Sequence, residues 1–369
     1  MSKGWSLIYQ RAYSARTTRT DDFPPSFRRR TAAHFRSSLI YLPQSAMATS
    51  SSALKDNDET PIKFNFLRGH PNHQLLPTKE MQAILLEAAS EANSHNLTTS
   101  LNYLPSDQGD SALLQELALF LGRQTADDDI GEIPHGLSKT PWKHNPDNCN
   151  QFFLTHGVSH GLELLCRTQT QPGDVVWIER PTYFLVNTIF QSHGLVVESL
   201  PMATSSSETS DSAGAFLDLD RLEDGLNSGA LTPPRMIYII PSHQNPTAKC
   251  YSIEERWRLA KLAARHGILL VSDEVYHLLD WRTVEQDEKR PAYMARLGTY
   301  LMEYARYKQT QYTTIDNPKQ LGACVTLSSF TKIFGPGVRL GWIEGPKEII
   351  DSLVNLGYIQ SQVSDWYGT

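Results

Sequence analysis

Cysteines are few in this sequence, and long apolar runs are missing. The 369 residues include four cysteines, which lie too far apart to form a CxxC pair. They are Cys149, Cys166, Cys250 and Cys324. This spacing excludes the common zinc motifs and a disulfide framework, so we expect no metal site. Because polar residues interrupt every apolar run within a few positions, we also expect no membrane-spanning helix.

Excess positive charge is lacking as well. The net charge is −6, and 40% of the residues are hydrophobic. A mildly acidic chain offers no general attraction to nucleic acid or to an anionic membrane, so we expect neither as a partner. The length and apolar content suit one large core with a second, smaller domain. Small-molecule chemistry is therefore the expected class of function.

Acidic residues are scarce at the start of the chain. The first fifty residues carry eight lysines and arginines against only Asp21 and Asp22, and they are rich in Ser, Thr and Ala. This composition is typical of a mitochondrial transit peptide. A basic leader without a targeting role, or a gene start placed too early with Met47 as the initiator, is the alternative. We predict a disordered leader over 1–60 and a mitochondrial or cytoplasmic location.

Helical periodicity begins after this leader. An N-terminal arm and a first helix are predicted over 61–95, where TKEMQAILLEAASEA has its apolar residues on one helical face. SALLQELALFLGRQ predicts a second amphipathic helix. Ser252 and Glu255 form a capping box at the start of a third helix, which is expected to end at Gly267.

Seven short apolar runs rich in β-branched residues predict strands. They span 151–155, 175–179, 195–200, 236–241, 268–273, 324–329 and 339–344. Because these runs are too apolar for half-exposed edges, we expect a sheet covered by helices on both faces. The predicted fold class is therefore α/β: a three-layer αβα sandwich with a mostly parallel seven-stranded sheet, forming a large domain over 96–346.

Polar residues follow five of these strands, at the sheet edge where α/β proteins bind ligands. The five segments are Thr155–Gly161, Pro181–Tyr183, His243–Thr247, Asp273–Tyr276 and Ser328–Lys332. They offer a glycine-rich helix start, two phenols, an amide, a carboxylate and a lysine. Each has an ordinary structural explanation when taken singly: glycines form turns, an aspartate caps a helix and a lysine is usually solvated.

The order of these segments resembles the fold-type I pyridoxal-phosphate enzymes, specifically the class I/II aminotransferases near the 2-aminoadipate and multi-substrate transaminases. The motifs that carry the resemblance are SSFTKIFGPGVRLGW, PSHQNPTAKC with VSDEVY, and ERPTY. It extends from about Asn65 to about Gln362. It implies the pyridoxal-phosphate transferase fold of type I and pyridoxal 5'-phosphate as the cofactor.

The resemblance also implies roles for single residues. Lys332 would bond covalently to the cofactor and then act as the base at the substrate Cα. Asp273 would pair with the pyridine nitrogen, while Tyr276 and Asn245 would hydrogen-bond the ring oxygen. Tyr183 would stack on the ring.

A second group of residues would hold the cofactor phosphate. Ser159 and His160 begin a helix whose free N–H groups attract anions, and Ser329 and Arg339 would add a hydroxyl and a bidentate charge. Tyr103 matches the family tyrosine that reaches the phosphate of a neighbouring subunit, which implies a homodimer. For Tyr103 alone, a buried loop tyrosine is the alternative.

The sequence departs from the family at several points. Leu104 and Ala248 stand where the family often has Gly, and His160 stands where it has Gln. Family members continue into a small C-terminal domain that supplies an arginine for the substrate carboxylate, whereas this sequence stops at Thr369. We therefore expect the small domain to be largely absent and 347–369 to be its truncated start.

Three functions stay open on this basis. The first is an aminotransferase that moves an amino group between an amino acid (2-aminoadipate, aromatic or aliphatic) and a 2-oxo acid. The second is a pyridoxal-phosphate lyase or decarboxylase. The third is a truncated, non-catalytic chain that binds the cofactor without turnover.

Overall fold

The computed structural model describes residues 71–90, 106–132, 149–203, 217–280, 289–307 and 322–356. The chain divides into two compact units, Met1–Leu76 and Pro77–Thr369. The described part of the first unit contains one 3₁₀ turn, His73–Leu75. All the α-helices and strands below belong to the second unit. The predicted leader lies outside the described residues, and the domain boundaries at 95/96 and 346/347 stay predictions.

One seven-stranded sheet forms the centre of the second unit. Its strands are β1 (Phe152–Thr155), β2 (Val175–Ile178), β3 (Val196–Ser199), β4 (Met236–Ile239), β5 (Leu269–Asp273), β6 (Ala323–Ser329) and β7 (Gly341–Glu344). The spatial order is β1-β7-β6-β5-β4-β2-β3. Only β7 is antiparallel to its neighbours β1 and β6, and the other pairs are parallel. The predicted mostly parallel sheet is confirmed.

Eight α-helices accompany these strands in the described ranges. They are α1 (Thr78–Ala88), α2 (Ser111–Gln124), α3 (Val158–Gln169), α4 (Leu185–Ser192), α5 (Leu219–Ser228), α6 (Ile253–His266), α7 (Met294–Tyr307) and α8 (Lys347–Val354). No helix in these ranges is long and apolar enough to cross a membrane.

The helices cover both faces of the sheet. Side chains alternate along a strand, so Ile237 and Ile239 of β4 join one buried cluster while Met236 and Tyr238 join the other. Helices α5, α6 and α7 contribute to the first cluster, and α3, α4 and α8 contribute to the second. The three-layer arrangement predicted from the apolar strands is therefore confirmed.

The expectation that every strand is covered was wrong for β3. This strand lies at the edge of the sheet, and the side chain of Val196 is 46% exposed. A run of β-branched residues suits an edge strand as well as a central one, because an edge strand still belongs to the pleated surface of the sheet.

Arg339 was also predicted to lie in a strand, and this too was wrong. It follows a 3₁₀ turn, Pro336–Val338, with a left-handed φ of 54°. The strand β7 begins two residues later. The side chain of Arg339 is thereby placed at the edge of the sheet.

The predicted capping box fixes the start of α6. The Ser252 hydroxyl accepts from the backbone N–H of Glu255 at 3.2 Å, and the Glu255 carboxylate accepts from the N–H of Ser252 at 2.7 Å. Gly267 ends the helix with a φ of 68°, as predicted. Each such cap stabilises a helix by about 1 kcal/mol. The helix thus ends two residues before β5, the strand that carries Asp273.

Candidate functional site

The site lies where the carboxyl ends of the parallel strands meet the start of β7. In the register of the sheet, Gly341 pairs with Thr155 of β1 and with Ser329 of β6. A Cβ on Gly341 would lie 2.7 Å from the carbonyl oxygen of Ser328 and 2.8 Å from the Cα of Gly157. Only glycine therefore allows these three segments to approach each other so closely.

Asp273 ends β5 and is buried, with 5% of its surface exposed. Its Oδ2 accepts a 2.8 Å hydrogen bond from the Tyr238 hydroxyl. Burial raises the pKa of Asp273 to about 6, while the hydrogen bond from Tyr238, the backbone N–H of Val275 and the charge of Lys332 oppose this rise. Oδ1 is buried and has no hydrogen-bond partner within the described part of the chain. The carboxylate is therefore prepared to receive one more donor.

Three of the predicted residues, Lys332, Tyr276 and Tyr183, interact electrostatically with this carboxylate, and Asn245 hydrogen-bonds Tyr276. The Lys332 Nζ lies 5.9 Å from the centre of the Tyr276 ring, and Lys332 is exposed. Burial and the charge of Asp273 raise the pKa of Tyr276, while a hydrogen bond from Asn245 lowers it. Burial and the charge of Asp273 also raise the pKa of Tyr183. The sequence prediction placed these residues at one site, and the structure brings them together.

A second cluster lies around the start of α3. The guanidinium of Arg339 donates from Nη2 to the carbonyl of His156 at 2.7 Å and from Nη1 to that of Pro336 at 3.3 Å. A Cβ on Gly157 would lie 2.8 Å from the same Nη2. Gly157, at a φ of 98°, caps the helix without a side-chain hydrogen bond. The free N–H groups of the first helical turn and the guanidinium form a region that favours an anion.

Two histidines flank this region. The backbone N–H of His156 donates to Nδ1 of His160 at 3.1 Å. Burial and then the charge of Arg339 lower the pKa of His156, and burial and then His156 lower the pKa of His160. Both rings therefore favour the neutral form in this structure. An anion bound beside them would favour the protonated form.

The two serines predicted at this cluster differ in exposure. Ser159 is exposed in the first turn of α3. Ser329 is buried, and its hydroxyl lies 2.8 Å from both the Leu340 carbonyl, to which it donates, and the Thr331 hydroxyl. Ser329 therefore joins the segment after β6 to the residue before β7. Its predicted contact with a phosphate stays a prediction.

A buried ion pair supports the segment that carries Tyr276. The carboxylate of Glu274 accepts from Arg256 of α6 at 3.0 Å and from the Ser242 hydroxyl at 2.9 Å. Burial alone would raise the pKa of Glu274, but the Arg256 charge together with His277 and the Ser242 hydroxyl lowers it to about 2. Glu274 is therefore a structural anion next to Asp273.

A second buried carboxylate joins the loops of Tyr183 and Asn245. Glu179 accepts from the Tyr251 hydroxyl at 2.7 Å and from the Gln244 side chain at 3.1 Å. The same Gln244 amide donates to the carbonyl of Pro181 at 2.8 Å. Burial raises the pKa of Glu179 to about 7, while these hydrogen bonds oppose the rise.

The sequence prediction missed Tyr238. Its assignment of Tyr103 to the phosphate site cannot be compared with the structure. Tyr103 lies outside the described residues. Tyr238 was read as one more residue of an apolar strand, although a tyrosine in a buried strand needs a partner for its hydroxyl. That requirement, with Asp273 ending another predicted strand, was the available signal. In the described ranges, no group of three or more His, Cys, Asp and Glu side chains is arranged to hold a metal ion.

The comparisons with known proteins agree on one family. The sequence profile described as aminotransferase class I and II matches residues 75–359. An aromatic amino acid aminotransferase of Schizosaccharomyces pombe is 24% identical over 299 residues, which cover 78% of this chain and 58% of that protein.

Solved structures agree at the level of the fold. The α-aminoadipate aminotransferase LysN of Thermus thermophilus, complexed with N-(5'-phosphopyridoxyl)-L-leucine, has a TM-score of 0.55 and 22% identity, and the match covers 81% of this chain and 61% of that one. A multiple substrate aminotransferase of Thermococcus profundus has a TM-score of 0.56 and 18% identity, with the same coverage. This chain thus spans about three fifths of the length of these proteins.

Proposed function

Because the chain belongs to the class I and II aminotransferase family, we propose that it is a pyridoxal-phosphate-dependent transaminase. The proposed reaction moves an amino group between an amino acid and a 2-oxo acid. Aromatic amino acids and 2-aminoadipate are the proposed donors, since relatives with those names match this chain. Aliphatic amino acids are the third class to test.

The observation that carries this proposal is the unsatisfied oxygen of Asp273. A buried carboxylate with one occupied and one free oxygen is what a protonated ring nitrogen requires as a partner. The glycines at 157 and 341 keep the backbone beside the two clusters free of side chains. When bound, pyridoxal phosphate supplies an electron sink for the bond that breaks at the amino acid Cα.

The first cluster would hold the ring and handle the proton. Asp273 would keep the ring nitrogen protonated, and Tyr276 with Asn245 would donate to the ring oxygen. Tyr183 would cover one face of the ring and exclude water from it. Lys332 would attach the cofactor and then, as a free amine, carry the proton from the substrate Cα.

The second cluster would hold the phosphate. The N–H groups of the first turn of α3 and the guanidinium of Arg339 would neutralise its charge, with Ser159 within the same turn. Protonation of His156 or His160 would strengthen this grip once the phosphate is in place. The phosphate would thereby anchor the ring against Asp273.

The test of this proposal is a covalent label followed by a half-reaction. We expect borohydride reduction of the protein with pyridoxal phosphate to label the Lys332 peptide in mass spectrometry, and Lys332→Ala to abolish the label. Lys347→Ala, which removes an exposed lysine on α8, is the matched control and should keep it. No label on Lys332 in the folded wild-type chain would contradict the cofactor assignment.

The second step identifies the reaction. Addition of phenylalanine, 2-aminoadipate or leucine should convert the bound cofactor to pyridoxamine 5'-phosphate, with release of the matching 2-oxo acid. Loss of carbon dioxide in place of the 2-oxo acid would indicate a decarboxylase. A labelled chain that no amino acid converts would indicate a cofactor-binding protein without turnover.

A further inference from the structure

A tyrosine of β4 reaches across the sheet to the carboxylate that ends β5. Tyr238 pairs with Val271 in the register of the two parallel strands, so Asp273, two residues further on, lies on the same face. The Tyr238 hydroxyl donates to Oδ2 of Asp273 at 2.8 Å. Tyr238 is fully buried and Asp273 is 5% exposed. The hydrogen bond is therefore shielded from water.

This hydrogen bond makes the two carboxylate oxygens of Asp273 different. Oδ2 is occupied by the phenol, whereas Oδ1 has no hydrogen-bond partner among the described residues. A carboxylate with one oxygen fixed in this way cannot rotate freely about its Cβ–Cγ bond. The free oxygen then has one direction in which to accept a donor.

The phenol also affects the charge of Asp273. Burial and the charge of Glu274 favour the neutral acid, while Tyr238 and Lys332 favour the carboxylate. Tyr183 and Tyr276 face the same group, and Glu179 lies near enough to interact with it. The backbone N–H of Val275 also favours the carboxylate. Among the side chains around Asp273, Tyr238 makes the direct hydrogen bond, so its loss would remove the main side-chain donor to a buried carboxylate.

We propose that Tyr238 is a positioning residue for the cofactor: it keeps Asp273 ionised and turns Oδ1 toward the ring nitrogen. This inference rests on the proposed function, because the ring nitrogen belongs to pyridoxal phosphate. It adds a residue outside the cofactor-contacting set. The phenol acts on the ring only through the carboxylate.

Two substitutions separate this role from simple packing. Tyr238→Phe removes the hydroxyl and keeps the edge-on contact with Phe190, whose ring centre lies 6.1 Å away. Tyr251→Phe is the matched control, since Tyr251 is also buried and donates to a buried carboxylate, Glu179, at 2.7 Å. Both variants lose one hydroxyl bound to a carboxylate, but only the first touches Asp273.

The first measurement uses the cofactor-free chain. Difference infrared spectroscopy at pH 7.5 reports a protonated carboxyl group by its C=O stretch, and Asp273→Asn in the same background assigns the band. We expect a protonated Asp273 in Tyr238→Phe but not in the wild type or in Tyr251→Phe. An Asp273 that stays ionised in a folded Tyr238→Phe protein would overturn the proposal.

The second measurement uses the loaded protein. With pyridoxal phosphate labelled with ¹⁵N in the ring, the nitrogen chemical shift reports its protonation. We expect a protonated nitrogen in the wild type and in Tyr251→Phe, a shift toward the neutral value in Tyr238→Phe, and cofactor affinity about tenfold weaker in that variant. An unchanged shift and affinity would contradict the positioning role.

The two measurements distinguish the inference from its premise. If the wild type binds no cofactor, the proposed function fails, while the infrared result still decides whether Tyr238 controls the charge of Asp273. If Tyr238→Phe does not fold, 3-fluorotyrosine at position 238 replaces it. This residue keeps the shape and donates more strongly, so Asp273 should titrate at a lower pH. No change in that titration would overturn the proposal.

Discussion

Glu274 shows how one buried side chain can make stability depend on pH. Its pKa is about 2 in the folded chain, because Arg256, His277 and Ser242 outweigh the effect of burial. In an unfolded chain the pKa is that of an ordinary glutamate, about 4.3. A depressed pKa contributes stability above the unfolded value, and this contribution is lost as the pH falls toward 2.

We therefore predict that acid weakens the wild type more than Glu274→Gln. Between pH 6 and pH 2.5, the wild type should lose on the order of 2 to 3 kcal/mol more free energy of unfolding, as measured by urea denaturation. Glu254→Gln, which changes an exposed glutamate at the start of α6, is the control and should follow the wild type. Parallel pH curves for the wild type and Glu274→Gln would contradict the coupling to Arg256.

Single residues also show what the sequence could and could not predict. The motifs of the family resemblance named ten site residues, and nine of the ten lie in the described part of the chain. Their roles stay predictions. The left-handed backbone of Arg339 was not predicted, because glycine is the residue expected at such a φ. The partner of Asp273 was missed because a hydrogen bond between neighbouring strands depends on their register, which the sequence alone does not specify.

At the scale of elements, the junction of β1, β6 and β7 depends on the absence of one side chain. Gly341 is buried against the Ser328 carbonyl and Gly157 Cα. Gly341→Ala would place a methyl group within 3 Å of both, and backbone atoms cannot move aside as a side chain can. We predict a loss of about 1 to 3 kcal/mol of stability, measured by chemical denaturation.

A matched substitution tests whether this loss comes from the junction. A Cβ on Gly337, in the 3₁₀ turn before β7, would meet no atom within 4 Å. Gly337→Ala should therefore leave the stability nearly unchanged. Cofactor affinity should also fall in Gly341→Ala, because β6 ends at Ser329 and β1 leads directly into the start of α3. Equal stability of the two variants would show that the junction tolerates a side chain.

The elements themselves were largely predictable, for a physical reason. Seven apolar runs of five or six residues, five of them followed by a polar segment, leave few arrangements other than strands of a covered sheet. The position of β3 at the edge of the sheet could not be predicted from the sequence, because Val196 and Val197 suit an edge strand and a central strand equally. The antiparallel direction of β7 was not predicted either.

At the scale of the whole molecule, the remaining expectation is a homodimer. We predict that the wild-type chain sediments as a dimer and that its affinity for pyridoxal phosphate falls as the protein is diluted below the dimer dissociation constant. The physical reason is that the Tyr103 of one subunit would complete the phosphate site of the other. Tyr103→Phe should weaken cofactor binding without changing sedimentation. Cofactor affinity that is independent of dilution through a measured dissociation would contradict this arrangement.

The position of β1 has a consequence for synthesis on the ribosome. This first strand pairs only with β7 within the sheet, and β7 is made roughly 190 residues later. At typical translation rates, Phe152–Thr155 therefore waits about 10 to 40 s for the strand with which it pairs in the described sheet. During that interval its apolar side chains must be shielded by chaperones or by the nascent chain itself.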